Sequence, residues 1–526
     1  MANLLGPILQ FLGIQENRWC VSVLVVTDTS TAPTLKGTAT AAPFTQLCKL
    51  QSGAKVWRAT LSVVQGASAQ RISYSVDGKS NAFHVPATSE SPRMAYASCN
   101  GFSSPALMKG VVDKNALWTR LLNLHAGRER INGRSFGPYH VLLMGGDQVY
   151  SDTFWQDPTC PDIVAWSNLT RDLRRKAKWT PVLQKQVTAF FENLYLTKWS
   201  QPEVAQTLAS MPGVMMWDDH DIFDGWGSYP LEDHDCPVYQ GVFAIAKNCF
   251  ALFQRQSLLG KPPPCTLPAQ SAFSAGYRMG STGLLAIDMR SERGPERQTG
   301  GNLQSAQVLS QASWAAVYQW LDAQKDMKHL VLMSSIPVVH PSFELLEKML
   351  GVLPGQQELE DDLRDHWTNA AHRAERLRLI HRLFAYSKEQ SCRITVVSGD
   401  VHVAAVGVLE SRRDSADNNA QIINQVTSSG IVHPPPVAMA RYFLEQACLQ
   451  VETVDRGITA AMVEFPTTSR RLIGARNFLT LEPDDARNLA QRLWVNWWVE
   501  NEAEPSSKVI HPVTPGLSGL PNPVLL

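Results

Sequence analysis

The sequence predicts an α/β layered protein with a β-rich segment at its N-terminus, and three observations carry that prediction. From Met94 onward, short runs that are apolar on both parities alternate with longer segments of helical spacing, which is how buried strands and their covering helices read. Before residue 90 the pattern is instead alternation, the mark of half-buried strands. Several of the later apolar runs end abruptly in acids, His or Cys, and a layered α/β fold gathers such strand ends along one edge.

In the first segment the expected strands are 21–27, 56–64 and 71–77. Trp57, Ala59, Leu61 and Val63 share one parity, and Ile72, Tyr74 and Val76 alternate before the turn Asp77-Gly78. No helical period of similar quality interrupts them. Residues 1–90 are therefore expected to form a small all-β sandwich domain, with the polar stretch 86–93 as its exit. A larger domain, 91–503, is expected to follow, with strands at 94–98, 140–144, 214–217, 283–287, 329–333, 394–397 and 460–465. Its covering helices are expected at 116–125, 183–195 and 359–386, the charges of the last forming a solvated face. Trp494, Trp497 and Trp498 stand at helical spacing and read as a packing face. Five prolines follow Glu504, so residues 504–526 are expected to be an extended tail.

Composition narrows the function classes. A chain of 526 residues with 44% hydrophobic and 18% charged side chains is neither disordered nor collagen-like. At about 150 residues per domain it suits two or three domains. Its 48 basic residues balance 48 acidic ones, which argues against general nucleic-acid binding. No apolar run approaches the roughly 18 residues of a bilayer span, so no transmembrane segment is expected. No Lys or Arg precedes Arg18, so the basic start of a secretory signal is not visible and a cytoplasmic protein is expected. The nine cysteines include no C-x-x-C pair and fit buried thiols better than a disulfide framework or a structural zinc site. Cys99 is set apart by its position at a strand end.

The strand ends carry the chemistry. Run 94–98 leads into Cys99-Asn100, and 140–144 into Gly145-Gly146-Asp147-Gln148-Val149-Tyr150. Run 214–217 leads into Asp218-Asp219-His220-Asp221, and 394–397 into Ser398-Gly399-Asp400-Val401-His402. Carboxylates, a phenol, an imidazole and a thiol gathered without Lys or Arg are costly to bury unless a cation offsets them, and a metal ion is the simplest one. Asp400 and His402 stand two apart, which on an extended strand points both to one metal. Singly, each residue has a plainer reading: Asp147 as a helix cap, Cys99 as a buried thiol, His402 as a core imidazole. Three carboxylates around His220 directly after a strand serve no evident stabilising purpose.

In this order, Ser98-Cys99-Asn100, Gly146-Asp147-Gln148-Val149-Tyr150, Trp217-Asp218-Asp219-His220-Asp221 and Gly399-Asp400-Val401-His402 resemble the motifs of the PhoD-like alkaline phosphatases and phosphodiesterases, a branch of the calcineurin-like metallophosphoesterases. The resemblance spans roughly Met94 to the mid-400s. It implies a two-sheet α-β-β-α sandwich, preceded by the small N-terminal sandwich, with a dinuclear metal centre at the strand ends. By position it implies Asp147 as the bridging carboxylate, and Cys99, Tyr150 and His402 as ligands of a ferric ion (Fe3+). It implies Asp219 and Asp400 as ligands of a divalent ion, calcium (Ca2+) or another. His220, with Asp218 beside it, falls where the superfamily keeps the catalytic group that contacts the phosphoryl and assists the leaving oxygen. Asp219 stands where the superfamily usually has Asn, which makes the upstream Asn193 an alternative ligand. His340 is a further residue that could approach the site.

The expected function is metal-dependent hydrolysis of a small-molecule phosphoester, monoester or diester, by a metal-activated hydroxide. The alternative is a non-catalytic, metal-containing binding protein on the same fold. A serine hydrolase is disfavoured because no G-x-S-x-G stands at a strand-to-helix turn. Loops 226–237 and 262–276, rich in Pro, Gly and aromatic residues, are expected to rim the pocket.

Overall fold

The computed structural model describes residues 3–269, 271–299, 302–341, 367, 371–413, 419–466, 468–484 and 492–513. The chain gathers into two compact units. Unit 1 is Met1–Ala95 with Asn100–Asp224 and Pro230–Thr266; unit 2 is Tyr96–Cys99 with Gly225–Tyr229 and Leu267–Leu526. These units do not follow the boundaries expected at residues 90 and 503.

The reason lies in how the first strands pair. Asn3–Gln15 forms an antiparallel hairpin with Arg18–Thr27, which pairs in unbroken register with Lys55–Val64. Asn3–Gln15 also meets Gly213–Met216 in parallel at Gln10 and Gly213, and Gly213–Met216 lies parallel to Val141–Gly145. The N-terminal strands thus share one mixed sheet with the two strands that end at Asp147 and Asp218. Asn3–Gln15 has no period-two signature because Gly6 and Gly13 take positive φ and bulges shift its register. Gln70–Val76 and Lys79–Val85 pair, with Leu35–Gly37, in a separate three-stranded sheet.

Two helices of unit 1 follow from their sequences. Ala116–His125 has the expected bounds. Pro181–Trp199 begins at a Thr180 cap with proline at its first position, and buries Leu183, Val187, Phe191 and Leu194 at helical spacing. Helix Pro237–Cys249 runs into one π turn, Phe250–Gln254, every residue of which is buried.

Unit 2 is built on a nine-stranded mixed sheet. Its middle strands, Thr282–Ile287, His329–Ser334, Arg393–Ser398 and Ile422–Thr427, are parallel and buried throughout; the first three contain the expected runs apolar on both parities, whereas the last buries Asn424 and Gln425. Antiparallel Ala275–Met279 closes one end, and Ala404–Ser411, Ile458–Val463 and Val451–Asp455 the other. Helices Gln311–Ala323 and Arg373–Gln390 place Trp314, Val317, Leu321, Leu379, Ile380 and Leu383 in the core with Leu285, Leu330 and Val396.

Three expectations are corrected here. The helix expected at 359–386 is described as Arg373–Gln390; residues 359–366 and 368–370 lie outside the described residues. The tryptophans at helical spacing lie on a strand, Leu493–Val499, antiparallel to Asn477–Pro483. Trp497 and Trp498 are both buried, so the strand is covered on both faces and shows no alternation. The start of the expected extended tail is a further strand, Ser506–Ile510, paired with Leu493–Val499; residues 514–526 lie outside the described residues. Among the described residues, no helix is long and apolar enough to cross a membrane.

Unit 1 also buries imidazoles away from the strand-end acids. Nδ1 of His140 accepts from the Arg93 N–H (3.0 Å) and Nδ1 of His125 from the Tyr139 N–H (3.2 Å). Burial first, then Arg93, His84 and His125, pushes His140 down to about 3. Burial, His84 and Arg128 do the same to His125, also to about 3. In the unfolded chain both titrate near pH ~6.5, so below that pH the unfolded state binds protons the native state refuses. Stability is therefore fully present above pH ~6.5 and is lost as pH falls toward 3. Urea unfolding should show a loss of about 2 kcal/mol per imidazole between pH ~6.5 and ~5. His140→Gln should shrink that loss; an unchanged slope would remove His140 as a source.

Candidate metal centre

The strand Val141–Gly145 ends in a sharp turn. Gly146 has φ 109° and Asp147 φ 54°, which turns the chain back over the strand end. Hydrogen bonds hold this turn on all sides. Asn100 N–H donates to the Asp147 carbonyl (2.8 Å), and the Asn100 side chain accepts from Trp118 Nε1 (2.9 Å). Trp199 Nε1 donates to the Gln148 carbonyl (3.2 Å). Gly101 leaves the room that the Tyr150 ring fills; a Cβ there would stand 2.4 Å from Tyr150 Cδ2.

The second strand end is knit to the first by Asp221. Its buried carboxylate accepts from the N–H groups of Gln148 (3.1 Å), Val149 (3.2 Å) and Asp218 (2.9 Å), and from Gln254 Nε2 (2.9 Å). Asp218 returns the bond, its carboxylate accepting from the Asp221 N–H, so the two acids cap the turn Asp219–Asp221 between them. Burial pushes Asp221 up to about 7, with the converging donors pulling it down. Asp221 and Asp218 thus have the stabilising purpose that the sequence did not reveal.

His220 stands between them. Its Nδ1 lies 2.8 Å from Asp152 Oδ2, and Asp152 Oδ1 accepts from the Asp224 N–H (2.8 Å). The ring stacks on Tyr150 at 4.4 Å between centroids, and Tyr150 Oη donates to Asp147 Oδ2 (3.3 Å). One ligand atom each from Asp147, Asp219 and His220 lie within 4.8 Å of one another, and all three residues are buried. Burial raises Asp147 well above the carboxylate range; His220 opposes the rise, and Asp218, Asp219 and Asp221 add to it. Burial works against a charged His220, but Asp152, Asp219 and Asp147 outweigh it and raise the imidazole well above its usual range. The buried carboxylates of Asp147 and Asp219 beside one imidazole, with a phenol next to them, form a donor set whose charge and chemistry suit a metal ion.

Unit 2 holds the other nominated ligands. Cys99 Sγ lies 3.0 Å from Ser429 Oγ, and the same hydroxyl accepts from the His402 N–H (2.9 Å). The His402 ring stacks on His433 at 3.7 Å. Asp400 and His402 are not neighbours on an extended strand: the strand stops at Ser398, and both take left-handed φ, 69° and 52°. Alternation does not govern where they point. Of the twelve non-glycine residues with positive φ among those described, four are nominated ligands: Cys99, Asp147, Asp400 and His402. Backbone strain of this kind concentrates at functional sites.

Two nominated residues lie elsewhere. Asn193 is exposed on Pro181–Trp199, its Oδ1 accepting from Thr197 Oγ1 (3.5 Å). His340 is buried with its Nδ1 3.4 Å from the Pro341 carbonyl, and belongs to none of the described clusters of metal-ligand type. Conversely, Asp152, Ser429 and His433 take part in these contacts without being among the expected site residues. Asp152 follows Tyr150 by two positions in the same motif. Ser429 and His433 follow Ile422–Thr427, a strand whose Asn424 and Gln425 interrupt the apolar run that marks the other strand ends.

Comparison with known proteins gives three findings. A sequence model of the family described as PhoD related phosphatase matches residues 90–354 and 345–453. The uncharacterized protein YGR266W of Saccharomyces cerevisiae is 28% identical over 462 residues, covering 72% of this chain; the chain in turn spans 62% of that protein's length. A solved structure titled "Structure of PhoD" superposes with a TM-score of 0.54 at 12% identity, over 98% of this chain and 90% of that one, which shows a shared mixed α/β fold.

The Asp221 geometry generates a test independent of activity. Asp221→Asn keeps the shape but turns an amide toward converging N–H groups. Chemical denaturation should show a loss of about 3 kcal/mol, the scale of breaking a buried charged network. A loss under about 1 kcal/mol, the worth of one ordinary hydrogen bond, would mean that the four donors do not depend on the carboxylate.

Proposed function

We propose, from the premise that this chain belongs to the PhoD-related phosphatases, that it hydrolyses phosphoesters of small molecules at a dinuclear metal centre. The observation that carries this reading is the buried Asp147, Asp219 and His220 cluster, with His220 held by Asp152. Asp147 would bridge the two ions and Tyr150 and Asp219 would each hold one. Cys99, His402 and Asp400 are proposed as the remaining ligands on the strength of the sequence motifs, with Fe3+ at the Cys99, Tyr150 and His402 donors and Ca2+ or another divalent ion at Asp219 and Asp400. Bound metals would supply Lewis-acid polarisation of the phosphoryl group and a nucleophilic water at neutral pH.

The chain's own residues set the rest. Asp152 fixes the His220 ring through Nδ1, which leaves Nε2 to contact a phosphoryl oxygen and to hand a proton to the leaving oxygen. The Tyr150 ring, stacked on His220, limits its rotation. Asp218 acts by capping the turn that carries His220.

Turnover of an aryl phosphate monoester and its matching diester, with and without chelator, tests the reading. His220→Ala should lower kcat by about 10²–10⁴ with metal content nearly intact, the usual contribution of a positioned acid. Asp152→Asn should cost about 10–100-fold, the usual effect of loosening an orienting partner. Loss of metal in His220→Ala would make the imidazole a ligand instead, and full turnover in both variants would remove the pair from the chemistry.

Metal identity has its own signature. A phenolate is an unusual donor for Zn²⁺, Mg²⁺ or Ca²⁺ but is used by ferric iron in haem proteins. The purified protein should therefore be coloured by charge transfer, with the band shifted or lost in Tyr150→Phe and both metals released in Asp147→Asn. A colourless, iron-free and active protein would overturn the ferric assignment.

A further inference from the structure

The hairpin of Gln70–Val76 and Lys79–Val85 buries one face and leaves the other polar. Ile72, Tyr74 and Val76 turn inward with Phe83 and Val85. On the outer face Arg71 stands opposite His84 and Ser73 opposite Ala82 in antiparallel register. That face is one wall of an open cavity of about 700 Å³. His125, at the end of Ala116–His125, and Gln206 and Ser210 of Pro202–Ser210 supply other walls. The volume falls within the span of small-molecule sites, roughly 300–1,000 Å³.

The lining chemistry is one-sided. Among the described residues, no Asp or Glu lines the cavity. Arg71 is in no ion pair among the described residues, and it donates to Ser73 Oγ (3.2 Å). His125 accepts the Tyr139 N–H at Nδ1, which places the proton of the neutral ring on Nε2 as a donor. The His84 ring meets His125 edge-on at 5.3 Å. Burial holds both imidazoles below their usual range, so they offer polarity without charge. The hydroxyls of Ser73 and Ser80 and the amide of Asn81 add donors. A planar carboxylate is satisfied by one guanidinium fork, whereas donors arriving from several walls suit a tetrahedral oxyanion.

We propose that this cavity binds the phosphate group of a small molecule, at a site separate from the Asp147 cluster, none of whose residues lines it. The ligand is either free phosphate or an organic phosphate, and the two share the same recognition chemistry. The proposal stands whether or not the chain is a hydrolase.

Titration calorimetry on the full chain with inorganic phosphate and with a non-hydrolysable alkyl phosphonate tests it. Arg71→Gln alters an exposed side chain and should weaken one binding phase about tenfold or more, the scale of a charge-assisted hydrogen bond, while aryl phosphate turnover stays unchanged. Ala82→Glu places an acid on the same wall and should abolish that phase. Tighter binding of the phosphonate identifies an organic phosphate as the ligand; equal binding identifies free phosphate. Wild-type isotherms in both variants overturn the proposal, and so does a parallel loss of turnover in Arg71→Gln, because the binding phase would then belong to the catalytic site. Absence of turnover in the wild type speaks against the hydrolase reading alone and leaves the isotherms interpretable.

Discussion

Four N–H donors converge on the carboxylate of Asp221, and they come from three stretches of chain: the turn after Val141–Gly145, the turn after Gly213–Met216, and the π turn at Phe250–Gln254. A buried donor left without a partner costs about 1–3 kcal/mol, so each donor ties its stretch to this one acid. Gln254 extends the tie, donating also to Tyr195 Oη (2.9 Å) on Pro181–Trp199. Trp199 of that helix returns to the Gln148 carbonyl. The position of Asp147 relative to Asp219 and His220 thus follows from a closed ring of hydrogen bonds, with a helix as its stiff member. The π turn is part of that ring, since it aims Gln254 at the acid.

Strain and support go together in both units. A left-handed φ at a non-glycine residue costs on the order of 1–3 kcal/mol and survives only where neighbours over-determine it. At Asp147 the support is the Asn100 N–H, with the Trp118 indole on the Asn100 amide behind it. At Cys99 and His402 it includes the hydroxyl of Ser429, which touches the thiol and the imidazole's backbone together, and the N–H groups of Val432 and His433, which donate to the Cys99 carbonyl. The close packing of Gly399 on Ser98, where a Cβ would fall 2.3 Å from the Oγ, leaves no room to relax.

How much of this was legible in the sequence depended on whether the signal was local. Strand ends at Asp147, Asp218 and Asp400 were readable because an apolar run and a polar stop sit side by side in the chain. Asp147, Asp219 and His220 were nominated from such stops and do come together. The strand Asn3–Gln15 was not readable, since its glycines and bulges erase alternation, nor was Leu493–Val499, which is covered on both faces. The role of Asp152, and that of Asp221 toward the first strand end, were hidden for another reason: His220 lies 68 residues from Asp152 and Gln148 lies 73 from Asp221, and no spacing rule connects them. Asn193 was plausible by type alone, and the helix turns it to solvent.

The parallel pairing of Gln10 with Gly213 joins residues 203 apart (213 − 10), across nearly two fifths of the chain. The local hairpin Asn3–Gln15 with Arg18–Thr27 needs only its own residues and can close as soon as they exist. Its outer edge then waits for a strand that a ribosome, adding about 5–20 residues per second, delivers roughly 10–40 s later. During that interval a long, apolar strand edge is open to other chains, the circumstance in which nascent proteins aggregate or recruit chaperones. The sheet that carries the acids is thus completed late in synthesis, and the hairpin that begins it is the part most in need of protection.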